Sequence, residues 1–199
     1  MLVGNTDILA IESELTMAFT RLSFRGLGFF LVHLGGIAYG VRSRDATLLA
    51  CSFDHVTKRI LDRGKHIAPF AKSMDGAIIS NAAWTAQYSE TYDSSLLGIS
   101  RDELTKTLSS NNLVWAPDGD EAFDDGSHVL QFDIGDQVRI VGSRRNGEHQ
   151  SKPSDLRDVW LPADDFYDTL ETWRARFETE WKSTPIGASS SLERFHCRS

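Results

Sequence analysis

The feature that most constrains the fold lies near the end of the chain. Phe166, Leu170, Trp173, Phe177 and Trp181 fall four, three, four and four residues apart, so they form one stripe on a helix of 3.6 residues per turn. A stripe this wide and this aromatic must be buried, and a sheet is the surface broad enough to bury it. Asp164, Asp165, Asp168 and Glu171 load the first half of the same segment, where carboxylates complement the helix dipole. Pro162 stands just ahead and Thr184-Pro185 just after, so both ends are punctuated.

The rest of the chain supplies strands. Leu9, Ile11, Leu15 and Met17 alternate with Ala10, Glu12, Glu14 and Thr16, the period of a half-buried strand whose apolar face only Ser13 interrupts. Residues 27–34 are apolar almost throughout and are followed by Gly35-Gly36 and residues 37–41, a hairpin of two buried strands closed by a two-residue primed turn. A β-prone run at 47–51 leads to Ser52, placed to cap a helix carrying Phe53, Val56 and Ile60 and stopping before Gly64. The alanines of residues 72–92 favour helix, while Ile78, Ile79, Thr85 and Tyr88 would also tolerate a strand. Ser100 and Glu103 have capping-box spacing for a short helix. Residues 113–116, 129–132 and 137–141 read as further strands between Asp- and Gly-rich loops. The expected architecture is α+β in a single domain, a mainly antiparallel twisted sheet packed against a long C-terminal amphipathic helix and shorter helices. That domain is expected over residues 1–182, with a flexible Ser-rich tail over 183–199.

Composition narrows the function. The 199 residues are 41% hydrophobic and 25% charged, which suits one folded domain and excludes disorder as the main state. A net charge of −7 argues against nucleic acid as the partner. The longest apolar stretch, 27–41, is broken by glycines and His33 and is shorter than the ~20 residues of a membrane span. Residues 1–10 lack the basic and apolar regions of an export signal. Cys51 and Cys197 form no redox motif, so both are expected as free thiols in a reducing compartment, and the protein as cytoplasmic.

Catalytic and metal signatures are not found. The string from Asp118 to Gly126 clusters carboxylates, but an EF-hand register from Asp118 puts Ala122 at the fifth ligand position and Phe123 where the turn glycine belongs. Cys51 and His55 stand one helical turn apart, yet Cys51 ends an apolar run and reads as a small core residue. No histidine pair has metal-ligand spacing, no nucleophile elbow or phosphate loop occurs, and Gly26-Leu-Gly28 lacks the third glycine of a dinucleotide fingerprint. No catalytic, cofactor or metal residue is assigned. Arg144-Arg145 with Asn146-Gly147 read as a solvated turn. What does stand out is charge: residues 107–138 hold no Lys or Arg but carry Asp118, Asp120, Glu121, Asp124, Asp125, Asp133 and Asp136.

Several strings together resemble a known family. They are Gly4-Asn5 with Ala10-Ile11-Glu12, the glycine-punctuated hairpin from Gly28 to Gly40, the string from Trp115 to Asp133 leading into Val138-Arg139-Ile140, and Trp160-Leu161-Pro162 with Phe166-Tyr167 and the Trp173 helix. Over most of residues 1–182 the chain resembles the immunity protein 42 family of bacterial polymorphic-toxin systems. The resemblance implies a cytoplasmic α+β protein, without catalysis or cofactor, that binds and neutralises a toxin delivered by neighbouring cells through contact-dependent inhibition or type VI-like secretion. A nuclease with a basic cleft is one toxin that an acidic inhibitor would suit. The partner is then a protein, neither nucleic acid nor membrane, and the inhibitor a monomer or weak dimer. Asp118, Asp120, Glu121, Asp124, Asp125, Asp133 and Asp136 are the candidate toxin contacts, although the same string could instead shape turns and hold the fold. A small enzyme using Cys51, His55 or the 118–125 carboxylates, and an acidic adaptor, are the alternative readings.

Overall fold

The computed structural model describes residues 1–116, 121–145 and 154–186. In chain order its elements are β1 (Leu2–Asn5), β2 (Leu9–Ala18), β3 (Gly26–Leu34), β4 (Ile37–Tyr39), β5 (Thr47–Leu48), α1 (Leu49–Leu61), α2 (Gly76–Tyr88), α3 (Arg101–Ser110), β6 (Val114–Ala116), a 3-10 turn at Glu121–Phe123, β7 (Ser127–Ile134), β8 (Gln137–Arg144), β9 (Ser154–Pro162) and α4 (Ala163–Ser183). The protein is α+β with a long C-terminal helix, as its residue periodicity predicts. Its antiparallel strands divide between two sheets: one ordered β1-β2-β3-β4 with β5 also on β3, the other β6-β7-β8-β9. Among the described residues no helix is long and apolar enough to cross a membrane.

The stripe on α4 is the centre of the larger core. Phe166, Leu170, Trp173 and Phe177 are buried there with Ile11, Phe30 and Val32 of the first sheet and Val129, Val138 and Ile140 of the second. Trp173 meets Phe30 edge-on at 5.1 Å and stacks on Phe177 at 5.2 Å, geometries that add to area burial. Its indole Nε1 donates to Ser13 Oγ at 3.0 Å with both residues buried. The one polar break in the β2 face is therefore the acceptor that a buried tryptophan needs. Gly35 and Gly36, at φ +53° and +82°, form the primed turn between β3 and β4. Ser100 caps α3, its hydroxyl accepting from the Glu103 N–H, and the helix expected within residues 72–92 is α2.

Four local expectations are corrected. A bulge between Leu15 and Met17 shifts the register of β2 on β3, so Met17 turns outward while Ala18 is buried; before the bulge, Leu9, Ala10 and Ile11 are all buried, so that end of the strand is covered on both faces. Helix α1 begins at Leu49, not after Ser52, because β5 ends at Leu48 and the buried Ser52 lies inside the helix. Strand β4 is shorter and less buried than the hairpin reading holds. Cys51 is disulfide-bonded, so it is not the free thiol expected; Cys197 lies outside the described residues.

Strand β9 was not anticipated, since Asp155, Arg157 and Asp158 interrupt its apolar pattern. It is the outer strand on β8, and Asp158 accepts from Arg139 Nε at 2.8 Å. Arg139, itself buried, also donates to the carbonyls of Ala71 and Met74 at 2.6 and 2.8 Å. It thereby ties residues 71–74 to the sheet. Behind this face a second core unites Leu130, Phe132 and Val141 with Ile79, Ala82 and Ala83 of α2 and Leu104 and Leu108 of α3.

Candidate functional site

Strand β7 divides the acidic string. Asp118 and Asp120 lie outside the described residues. Glu121 opens the 3-10 turn and is exposed, as is Asp124. Asp125 is drawn inward: it accepts from Arg144 Nε at 3.0 Å, from Gly40 N at 3.3 Å and from Ser127 N at 3.1 Å. Asp133 and Asp136 fall at the other end of the strand. At ~3.4 Å per residue the two ends are about 25 Å apart. Among the described residues, the carboxylates at the two ends of β7 therefore do not make one face.

At the far end the chain brings together residues that are remote in sequence. Asp133 Oδ2 accepts from Gly64 N at 2.6 Å and His66 N at 3.3 Å, and Oδ1 accepts from Tyr167 OH at 2.9 Å and Gln131 Nε2 at 3.2 Å. Asp136 sits in the β7–β8 turn, its carbonyl accepting from Ala163 N at 2.8 Å where α4 starts. A cleft of about 200 Å³ results, lined by Arg63, Gly64, Asp133, Gly135, Asp136, Ala163, Asp164 and Tyr167. The two acidic patches of the sequence, the string before residue 137 and the start of the α4 helix, meet here. Beyond it Asp165, Asp168 and Glu171 continue along the exposed side of α4.

Arg63 spans the opening. It pairs with Asp164 Oδ1 at 2.5 Å, and its guanidinium lies 4.9 Å from the Tyr167 ring centroid. The Asp164 hydrogen bond raises the Arg63 pKa above its ordinary value. Below, a polar relay enters the core. Gln131 Nε2 donates to Tyr167 OH at 3.0 Å, and buried Arg59 donates to Gln131 Oε1 at 2.9 Å and to the carbonyls of Asn112 and Val114 at 3.1 and 2.7 Å. Burial pushes the Arg59 pKa down to about 9, which still leaves it charged at neutral pH. Burial, and then Asp133, raises the Tyr167 phenol above its ordinary value. This phenol is a hydrogen-bond donor locked onto Asp133, not a poised acid or base.

The other sequence candidates do not converge on the cleft. His55 is exposed on α1, one turn from the disulfide-bonded Cys51. His66 is buried among the carbonyls of Asn111, Asn112 and Arg59, and burial lowers its pKa. His128 is buried against Gln87 Oε1 at 3.1 Å and edge-on to Trp84; burial, then Arg145, lowers it to about 4. Among the described residues no group of three or more His, Cys, Asp or Glu is placed to hold a metal ion. Arg63 and Tyr167 were missed as site residues, because nothing in their own neighbourhoods marks them; the one available signal was the acidic start of the α4 helix.

Known proteins resemble this chain as follows. The profile of the family described as Immunity protein 42 matches residues 1–176. No curated protein matches. Among solved structures, CdiI from Burkholderia dolosa AUO158 has a similar fold, with a TM-score of 0.55 at 13% identity over 88% of this chain and 99% of that one.

Proposed function

The chain belongs to the Immunity protein 42 family, and on that footing we propose that it binds a cognate toxin domain delivered by neighbouring bacteria and neutralises it by stoichiometric occlusion in the cytoplasm. The family match across residues 1–176 carries this reading. It also favours a non-enzymatic role, and Cys51, one of the groups that the enzyme reading would use, is taken up in a disulfide. The CdiI-like fold agrees with delivery by contact-dependent inhibition, with type VI-like secretion as the other route.

Net charge and its placement suggest how binding works. We assign toxin contact to Glu121 and Asp124 at one end of β7 and to Asp136 with Asp164 and Asp165 at the other; Asp118 and Asp120 keep this role on charge alone. Asp125 and Asp133, whose carboxylates are taken up within the fold, support the surface from beneath. An acidic surface of this kind steers a basic partner, for which a nuclease active-site cleft is the fitting target. The test is co-expression with the toxin domain encoded beside this gene, followed by association kinetics. Growth should be rescued, and the association rate should fall at least tenfold between 0.1 and 1 M salt as the Debye length shrinks from about 10 to 3 Å. Absence of rescue overturns the function; a salt-independent rate overturns the electrostatic account of it.

A further inference from the structure

Resting on the toxin-binding reading above, we propose that the cleft between Asp136, Asp164 and Tyr167 receives an arginine side chain of the toxin, and that Arg63 occupies that position in the unbound protein. The cleft already holds one guanidinium, seated over an aromatic ring and paired with a carboxylate. Planar cations favour this arrangement, since the guanidinium face lies over the ring while its N–H edge bonds a carboxylate.

The occupant is loosely held. The Arg63 and Asp164 side chains are 48% and 82% exposed, and an ion pair this open contributes little. The carboxylates also outnumber it. Asp133 is committed to Gly64, His66, Gln131 and Tyr167, but the Asp136 carboxylate has no hydrogen-bond partner among the described residues, and Asp164 has Arg63 alone. One guanidinium thus faces two carboxylates whose acceptor capacity it does not fill. Tyr167 is 2% exposed, with Arg63 across its ring, so moving Arg63 aside uncovers an aromatic floor. A lysine would gain the charge but lose the planar stacking and the fork of N–H donors that can reach two carboxylates.

The test begins without a toxin. The 15N-labelled protein is titrated with N-acetyl-arginine amide while the amide signals of Gly64, Gly135 and Asp136 are followed, with N-acetyl-norleucine amide as the uncharged control. Weak saturable binding is expected for the unmodified protein, at least threefold tighter binding for Arg63→Ala, and none when Asp136→Asn and Asp164→Asn are added. The lysine analogue should bind more weakly than the arginine one. The proposal is overturned if Arg63→Ala binds no tighter, if the carboxamide variant binds as well, or if the norleucine amide shifts the same signals. Thermal unfolding of each variant confirms that it is folded, and Arg63→Gln replaces any alanine variant that is not. With a toxin in hand, Asp136→Asn plus Asp164→Asn should weaken binding at least tenfold. If that variant protects undiminished, the cleft assignment fails while the immunity function stands; if the unmodified protein neutralises no toxin, the function fails whatever the arginine amide does.

Discussion

Replacing Asp133 with alanine should damage the fold far more than replacing Asp136, although the two lie three residues apart in the same acidic string. The Asp133 carboxylate accepts from two backbone N–H groups and from Tyr167 and Gln131. Hydrogen bonds to a charged acceptor are worth about 1.5–3 kcal/mol each, and a buried donor left without a partner costs about 1–3 kcal/mol. Gly64 is exposed and can recover a bond to water, whereas Tyr167 and Gln131 are buried and cannot do so as easily. Allowing for non-additivity, the loss should come to about 3–4 kcal/mol. With a urea m-value of about 2 kcal/mol/M, the unfolding midpoint should fall by about 1.5–2 M. Asp133→Asn, which keeps one acceptor oxygen, should fall about half as far. Asp136→Ala, at an exposed position without a side-chain partner among the described residues, should stay within about 0.5 kcal/mol of the unmodified protein. Equilibrium urea unfolding followed by tryptophan fluorescence measures all three. A loss below about 1 kcal/mol for Asp133→Ala, or an equal loss for Asp136→Ala, would refute the division of the string into supporting and surface carboxylates.

Two further expectations concern the buried polar groups. Ser13→Ala strands the Trp173 Nε1 donor in the core and should cost about 2 kcal/mol, or roughly 4–8 °C in Tm; adding Trp173→Phe should cost less in the Ser13→Ala background than alone, and strict additivity would count against the pair. His128, held near 4 against an unfolded value near 6.5, binds a proton in the unfolded chain before it does in the folded one. Its contribution is therefore present above pH 6.5 and is lost as pH falls from 6.5 toward 4, on the order of 3 kcal/mol over the window. Tm measured between pH 7 and 5 should decline less steeply in His128→Gln, and an unchanged slope would rule the histidine out.

Legibility followed the range of each signal. Helix α4 could be read in full because its apolar residues repeat through about four turns and its ends carry their own punctuation. The β3–β4 turn and the Ser100 cap were readable for a similar reason, since each is settled by residues within four positions. Strand β9 escaped, because its Asp and Arg residues look like loop until Arg139, on the neighbouring strand, is seen to neutralise Asp158. The phase of β2 escaped too: a bulge is a property of the pairing with β3 and leaves no mark in the alternation itself.

The acidic string shows where that boundary runs. Its composition, its lack of basic residues and its family likeness are all properties of the linear chain, and they suffice to expect an acidic protein that binds another protein. Which carboxylates face a partner is not written there. A carboxylate is consumed or left available by the donors around it, and those donors arrive from elsewhere: Arg144 and Gly40 at Asp125, Gly64 and Tyr167 at Asp133. The same folding that withdraws these two carries Asp136 against Asp164 and lays Arg63 across the gap. Charge is counted along the sequence, but its exposure and its pairing are decided by hydrogen-bond partners that only the tertiary structure brings within reach.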